Sequence, residues 1–340
     1  MKTGKVTENV QRRSILQLIK TKRQEVINGA GPGEDCAIFS QGLVTCMQDG
    51  AVSLFPIEML LQKCVNILAA REAEPVAVSL QILLPENAEE KQLKDLMKAA
   101  EKFCSQEQIQ IVSADAKVTA AVREIYVTAS AVGYFRKENL QNETERHTVR
   151  EAKPGQDIVI SKWIGLEGTA ILADRHRARI LERYPAWLSD TASEFRKYMS
   201  TVPEAAVAAK SGVCAMHNLS EGGIFAGLWE LAEGAGVGLN IDLKKLPIRQ
   251  ETVEVCNYLN VNPYELLSGG SLLMTAADGA ALAAAFEEAG IPAAIVGRTT
   301  DGNDRIIRNE DEVRYLDRPH VDAIYGALRE ALSDKETGGK

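Results

Sequence analysis

No stretch of this 340-residue chain approaches the roughly 18 consecutive apolar residues of a membrane-spanning helix. Met1-Lys2-Thr3-Gly4-Lys5 leads into Gln11-Arg12-Arg13 without an apolar core, so no ordinary secretory signal is expected. None of the six cysteines stands in a Cys-x-x-Cys pair. That removes the commonest zinc and redox spacings. Cys36, Cys46, Cys64, Cys104, Cys214 and Cys256 lie mostly in apolar segments. Buried or half-buried free thiols in a reducing cytosol are the expectation, with a catalytic thiol or a metal cluster as alternatives. Neither a Walker A sequence nor a G-x-G-x-x-G fingerprint occurs. Basic excess is also lacking: the net charge is −8. An acidic chain argues against a general nucleic-acid binder while leaving room for a local phosphate site.

What is present is the composition of a globular protein, 45% hydrophobic and 25% charged. The length is comfortable for two domains. Apolar residues at Val10, Ile15, Leu16, Leu18 and Ile19 predict a short amphipathic helix over 9–20. A Gly/Pro loop at 28–33 precedes strands at 36–39 and 43–47, a helix over 57–71 and a strand over 76–84. A long helix over 88–104 and strands at 109–112 and 124–134 follow. The polar stretch from Arg136 to Arg150, then Lys153-Pro154-Gly155, marks a boundary. Two domains, 1–150 and 151–335, are expected. In the second, strands at 158–161, 238–241, 271–276 and 292–297 alternate with helices at 221–236, 251–259 and 279–290. Alternation in both halves gives an α/β protein of α+β layers. The tail from Glu336 is expected to be disordered.

Three loops carry candidate chemistry. Gly31-Pro32-Gly33-Glu34-Asp35 offers flexible backbone and two acids, suited to phosphate and Mg²⁺ or to a plain turn. Met216-His217-Asn218-Leu219-Ser220-Glu221-Gly222-Gly223 feeds an amphipathic helix. A helix N-terminus with adjacent glycines holds phosphate well, and the same residues also read as a helix start capped by Ser220 or Asn218. Ser268-Gly269-Gly270-Ser271 is either an anion loop or a tight turn.

In order along the chain these loops resemble the AIR synthase-related superfamily. It includes aminoimidazole ribonucleotide synthase, selenophosphate synthetase, thiamine-monophosphate kinase and HypE. The carrying segments are Gly33-Glu34-Asp35-Cys36-Ala37-Ile38, Val65-Asn66 with Leu68-Ala69-Ala70, and Ala73-Glu74-Pro75. In the second half they are Lys153-Pro154-Gly155, residues 165–172, and Met216-His217 through Gly238. Ser268 to Leu273 and Gly290-Ile291-Pro292 with Val296-Gly297-Arg298 complete the set, which is most similar to the HypE-like branch.

The resemblance implies a two-domain fold whose N-terminal domains pair in a homodimer. It implies ATP in a cleft where acids hold Mg²⁺, for phosphoryl transfer to a small or protein-bound substrate that the sequence does not name. Carried over by position, Asp35 and Asp49 would be metal ligands, with Asp115 as a displaced carboxylate near the position now held by Lys117. Asp35 and His217 would be catalytic. Gly33, Asn66, Lys117, Ser220, Glu221, Gly222, Gly223, Ser268, Gly269 and Gly270 would meet nucleotide or phosphate. The chain also departs from the pattern. Val-Asn-Asp reads Val65-Asn66-Ile67, and the following Met-Gly reads Arg71-Glu72. Gly-Gly-His-Thr-Glu reads Ser113-Ala114-Asp115-Ala116-Lys117, and Asp-Pro-Thr reads Asn218-Leu219-Ser220. The terminal cysteine of HypE is absent. An eroded Mg-ATP site in a cytoplasmic nucleotide binder is expected. The alternative is a non-catalytic dimeric pseudo-enzyme that senses a ligand or scaffolds a partner protein.

Overall fold

The computed structural model describes residues 4–135 and 147–328. The polar stretch at 136–146 and the tail from Glu336 lie outside them. Among the described residues the chain forms two compact units, 22–30 with 34–135, and 4–21 with 31–33 and 147–328. Residues 4–21, which the sequence reading placed in an N-terminal domain, group with the second half.

The N-terminal helix α1 covers only Glu8–Ser14, and Leu16–Leu18 forms a separate 3₁₀ turn. Ile15, Leu18 and Ile19 are exposed, so no buried face carries the helix to residue 20.

In the first unit, strands β1 (Val26–Asn28), β2 (Cys36–Phe39) and β3 (Leu43–Ala51) precede helix α2 (Ile57–Ala69). Then come β4 (Ala73–Leu84), helix α3 (Glu90–Glu107), β5 (Gln110–Val118) and β6 (Tyr126–Phe135). The sheet order is β1-β2-β3-β6-β4-β5, and only β4 and β5 run parallel. Helix α2 starts after Pro56 and buries Ile57, Leu60, Leu61, Cys64 and Leu68, a spacing that makes one apolar stripe. The stripe packs on β3, β6 and β4. Val44, Cys46, Leu80, Ile82, Val127 and Ala129 are buried on the covered face. The alternate residues face the other way, because strand side chains have period two. That second face carries Met47, Asp49, Thr128, Ser130, Gln81, Ser113 and Asp115, all half-buried or exposed.

The second unit contains β7 (Asp157–Ser161), α4 (Leu166–Arg175), α5 (Arg177–Leu181), α6 (Ala186–Ser193) and α7 (Val202–Ala209). Next are β8 (Val213–Asn218), α8 (Gly223–Ala235), β9 (Gly238–Asp242), α9 (Gln250–Tyr258) and β10 (Leu272–Ala276). Helix α10 (Gly279–Glu288), β11 (Ala293–Thr300), β12 (Arg305–Asn309) and β13 (Glu312–Tyr315) complete it. The sheet order is β13-β12-β9-β11-β7-β10-β8. Every residue of β10 is buried. Helices α4 to α7 and strands β8, β12 and β13 were not read from the sequence. Their short lengths and small residues leave little periodic signal.

Of the six cysteines, five are buried and Cys214 is half-buried, all as free thiols. Cys36 and Cys46 are cross-strand partners; burial pushes the Cys36 thiol above its usual range, and the hydrogen bond to Cys64, with burial added, pushes Cys46 up.

Candidate functional site

The acids expected to hold metal are dispersed in the first unit. Asp49 opposes Thr128, Thr128 opposes Gln81, and Gln81 opposes Asp115, so all four share one row and one face. Neighbouring strands lie ~4.8 Å apart, and three steps from β3 to β5 separate the two backbones by about 14 Å. That is too far for two short carboxylates to meet on one ion within a protomer. Each has a local partner instead: Tyr126 donates its hydroxyl to Asp49, and Gln81 Nε2 lies 3.4 Å from Asp115 Oδ2. Lys117 opposes Leu83 and shares the face of Asp115. Ile67 is 6% exposed on α2, which packs against the opposite face. Register and packing therefore place positions 67 and 117 on opposite sides of the sheet. Asn66 is also buried, and its Oδ1 accepts from Gln62 Nε2 at 2.9 Å. Asp35 is half-buried at the start of β2. Mg²⁺ needs about six oxygen ligands in near-octahedral geometry. Among the described residues no three His, Cys, Asp or Glu side chains converge, so any magnesium here would rest on one or two carboxylates with ligand phosphate and water completing the shell.

Gly33 groups by packing with the second unit, apart from Asp35. It has φ +70°, and a Cβ there would lie 2.8 Å from the Glu230 carbonyl oxygen. Close approach to α8 accounts for the glycine without a phosphate.

The loop before α8 has a more definite geometry. Helix α8 turns Ile224, Leu228, Leu231 and Ala232 into the core and ends at Gly236 in the left-handed region. Its N-cap is Gly222, and neither Ser220 nor Asn218 caps it. Asn218 Oδ1 instead accepts from Thr201 Oγ1 at 2.8 Å. A Cβ at Gly223 would lie 2.6 Å from the Tyr264 carbonyl oxygen. The Gly222 N–H donates to Asp322 Oδ2 at 2.6 Å, and the Ile324 N–H donates to Asp322 Oδ1 at 2.9 Å. The Leu267 N–H bonds the same carboxylate. Asp322 is 4% exposed. Burial, with the Glu221 charge adding to it, pushes its carboxyl up to about 7 against the pull of the three amides. Glu221 accepts from the Tyr325 hydroxyl at 2.8 Å and from the Lys5 N–H at 3.2 Å.

Asp322 was not picked out from the sequence. A lone aspartate near the end of the described chain carries no motif. Only the fold shows that the two glycine loops meet on it.

Ser268, Gly269 and Gly270 are buried. Ser268 Oγ accepts from the Gly165 N–H at 2.8 Å and donates to the Leu266 carbonyl at 2.8 Å. A Cβ on Gly269 would meet the buried Glu167 carboxylate at 2.2 Å. A loop lined by a carboxylate and spent on internal bonds is a tight turn, which corrects the anion-loop reading. His217 is 2% exposed, with Nε2 3.0 Å from Glu230 Oε2. Lys5 Nζ binds the other Glu230 oxygen at 2.6 Å. Burial pushes the Glu230 carboxyl up, but Lys5 and His217 outweigh it and hold it at about 2. The ring is enclosed in this structure, held between Glu230 and the core rather than open to solvent.

The model of the AIR synthase related protein C-terminal domain matches residues 153–308. The chain is 30% identical over 242 residues to the carbamoyl dehydratase HypE of Rhodobacter capsulatus, covering 69% of this chain and 66% of that one. Residues 153–308 thus match the AIR synthase-related C-terminal domain, and the chain is similar to the HypE-like members of that superfamily. It spans 58 to 66% of the length of the first curated relatives it matches. The structure of a HypE–HypF complex superposes with a TM-score of 0.71 at 19% identity, covering 91% of this chain and 99% of the other. The hydrogenase maturation protein HypE in complex with ATP gives 0.64 at 18% identity, with 91% of each chain covered. At these identities the superpositions show the two-domain fold. Among the described residues no helix is long and apolar enough to cross a membrane.

Proposed function

We propose that this HypE-like protein binds a nucleotide or phosphate ligand and has lost most magnesium-dependent ATP turnover. The separation of Asp49 from Asp115 by three inter-strand steps carries the reading. Buried Ile67 stands where the family places an acid, and an aliphatic side chain offers no oxygen to a metal. The HypE neighbour in complex with ATP supports a nucleotide as ligand. In the first unit Lys117, on the outer face with Asp115, is the residue to meet it, acting as a point charge toward phosphate; buried Asn66 lies on the α2 side and does not share that face. The protein is a cytoplasmic homodimer in this reading. Its pairing surface is the outer face of the six-stranded sheet, where Met47 is 61% exposed.

The second reading, a non-catalytic dimer that senses a ligand or holds a partner protein, is favoured by the internal filling of the α8 loop by Asp322. A phosphate-release assay beside thermal melts with ATP and Mg²⁺ separates the two. Melting raised by ATP with turnover far below roughly 1 per second supports the first reading. No ATP-dependent shift under any metal condition supports the second. Met47→Arg is expected to turn a dimer into a monomer by light scattering, and a parent that is already monomeric refutes the pairing surface.

A further inference from the structure

Two glycine loops whose sequence suits either phosphate or a plain turn converge on one internal carboxylate. The amides of Gly222, Leu267 and Ile324 come from three separate segments and all bond Asp322. Backbone N–H groups directed at one buried oxyanion are the arrangement by which proteins hold a phosphate or carboxylate ligand. Here the occupant belongs to the chain itself.

The surroundings fasten the segment that carries it. Tyr325 Oη donates to Glu221, and the Ala323 N–H donates to the Glu265 carbonyl at 3.2 Å. Gly4 takes φ +104° beneath the Tyr325 ring, where a Cβ would lie 2.6 Å from a ring carbon. Its neighbour Lys5 bonds Glu221 through its N–H and Glu230 through its ammonium. The Gly4-Lys5 pair thus serves to seat residues 320–325 on the loop before α8.

We infer that residues 317–328 form an internal strap whose Asp322 carboxylate occupies an anion position, so that a ligand phosphate reaches the Gly222 and Leu267 amides only when the strap lifts. This rests on the reading of the protein as a nucleotide or phosphate binder. The strap competes with ligand, so apparent affinity is the intrinsic affinity multiplied by the open fraction. Weakening the strap raises that fraction and tightens binding.

The test uses the full chain, with pyrophosphate and ATP as probes in calorimetry. Hydrogen exchange of residues 216–228 and 314–328 is followed in parallel. Asp322→Asn keeps the shape but places an amide NH₂ against a backbone N–H. It is expected to bind pyrophosphate roughly tenfold more tightly than the parent. Both segments should lose protection before ligand is added, and ligand should expose 314–328 in the parent. Tyr325→Phe removes only the bond to Glu221 and should shift both readouts the same way by a smaller factor. It keeps the question answerable if Asp322→Asn does not fold. Parent binding of ATP with 314–328 still protected, and equal pyrophosphate affinity in the variants, would overturn the strap and leave the nucleotide reading standing. Failure of parent and variants alike to bind either probe would overturn both.

Discussion

The two sheets use their faces differently. In the seven-stranded sheet all of β10 is buried, and polar loops at its edge are spent on internal bonds: Ser268 on Gly165 and Leu266, Asn218 on Thr201. In the six-stranded sheet one face is apolar under α2, while the other presents a row of Asp49, Thr128, Gln81 and Asp115. A polar loop that is fully satisfied inside a unit is part of its architecture. A half-buried polar face with protruding Met47 is, in the reading proposed above, the pairing surface. Glycine-rich sequence marks the first kind as readily as the second.

The largest effect should come from the buried ion pair of the second unit. Lys162 Nζ lies 2.7 Å from Glu204 Oε1 and also donates to the carbonyls of Tyr198 and Ser200. Burial lowers the lysine's proton affinity against the pull of Glu204. Glu204→Gln strands that ammonium and should cost about 3–5 kcal/mol in denaturant unfolding. A loss under about 1 kcal/mol would show that the pair is better hydrated than its burial implies.

Next is a direct comparison of the sheets. Leu273→Ala in β10 should cost about 2–5 kcal/mol, while Met47→Ala on the outer face should stay within about 0.5 kcal/mol in the monomer. Equal losses would mean that the outer face is covered within one chain.

The third is a pair of opposed pH effects in the second unit. The Asp322 carboxyl sits at about 7 in the folded chain against an ordinary 3.8, so the fold holds a proton that the unfolded chain releases. Stability from this group falls as pH rises from about 4 to 7 and then levels. Glu230 is held at about 2 against an ordinary 4.5, so its contribution is full above 4.5 and is lost as pH falls through 2. Asp322→Asn should flatten the first slope and Glu230→Gln the second in chemical melts across pH. A parent whose stability is flat between pH 4 and 7 would contradict the burial of Asp322.

The fold was legible in the sequence where periodicity was strong. The α2 stripe from Ile57 to Leu68, the α3 helix and strands β2, β4 and β6 were all visible from apolar spacing. β5 ran on to Val118 because edge pairing with β4 requires no apolar alternation. The short helices between Leu166 and Ala209 gave too few turns to read. Candidate site residues were legible as positions in motifs, but not as contacts. Register alone separates Asp49 from Asp115 and puts Lys117 on the face away from Ile67. Burial alone removes His217 from solvent. Asp322, which gathers two of the three loops, has no local signal because its partners lie 100 and 55 residues before it.

The most direct test of the central claim is calorimetric titration of the parent chain with ATP, once with Mg²⁺ and once with chelator. A chain that binds nucleotide without a protein-held magnesium site should show affinities equal within about threefold, roughly 0.7 kcal/mol. Binding that appears only with Mg²⁺, accompanied by hydrolysis of roughly 1 per second or faster, would contradict it.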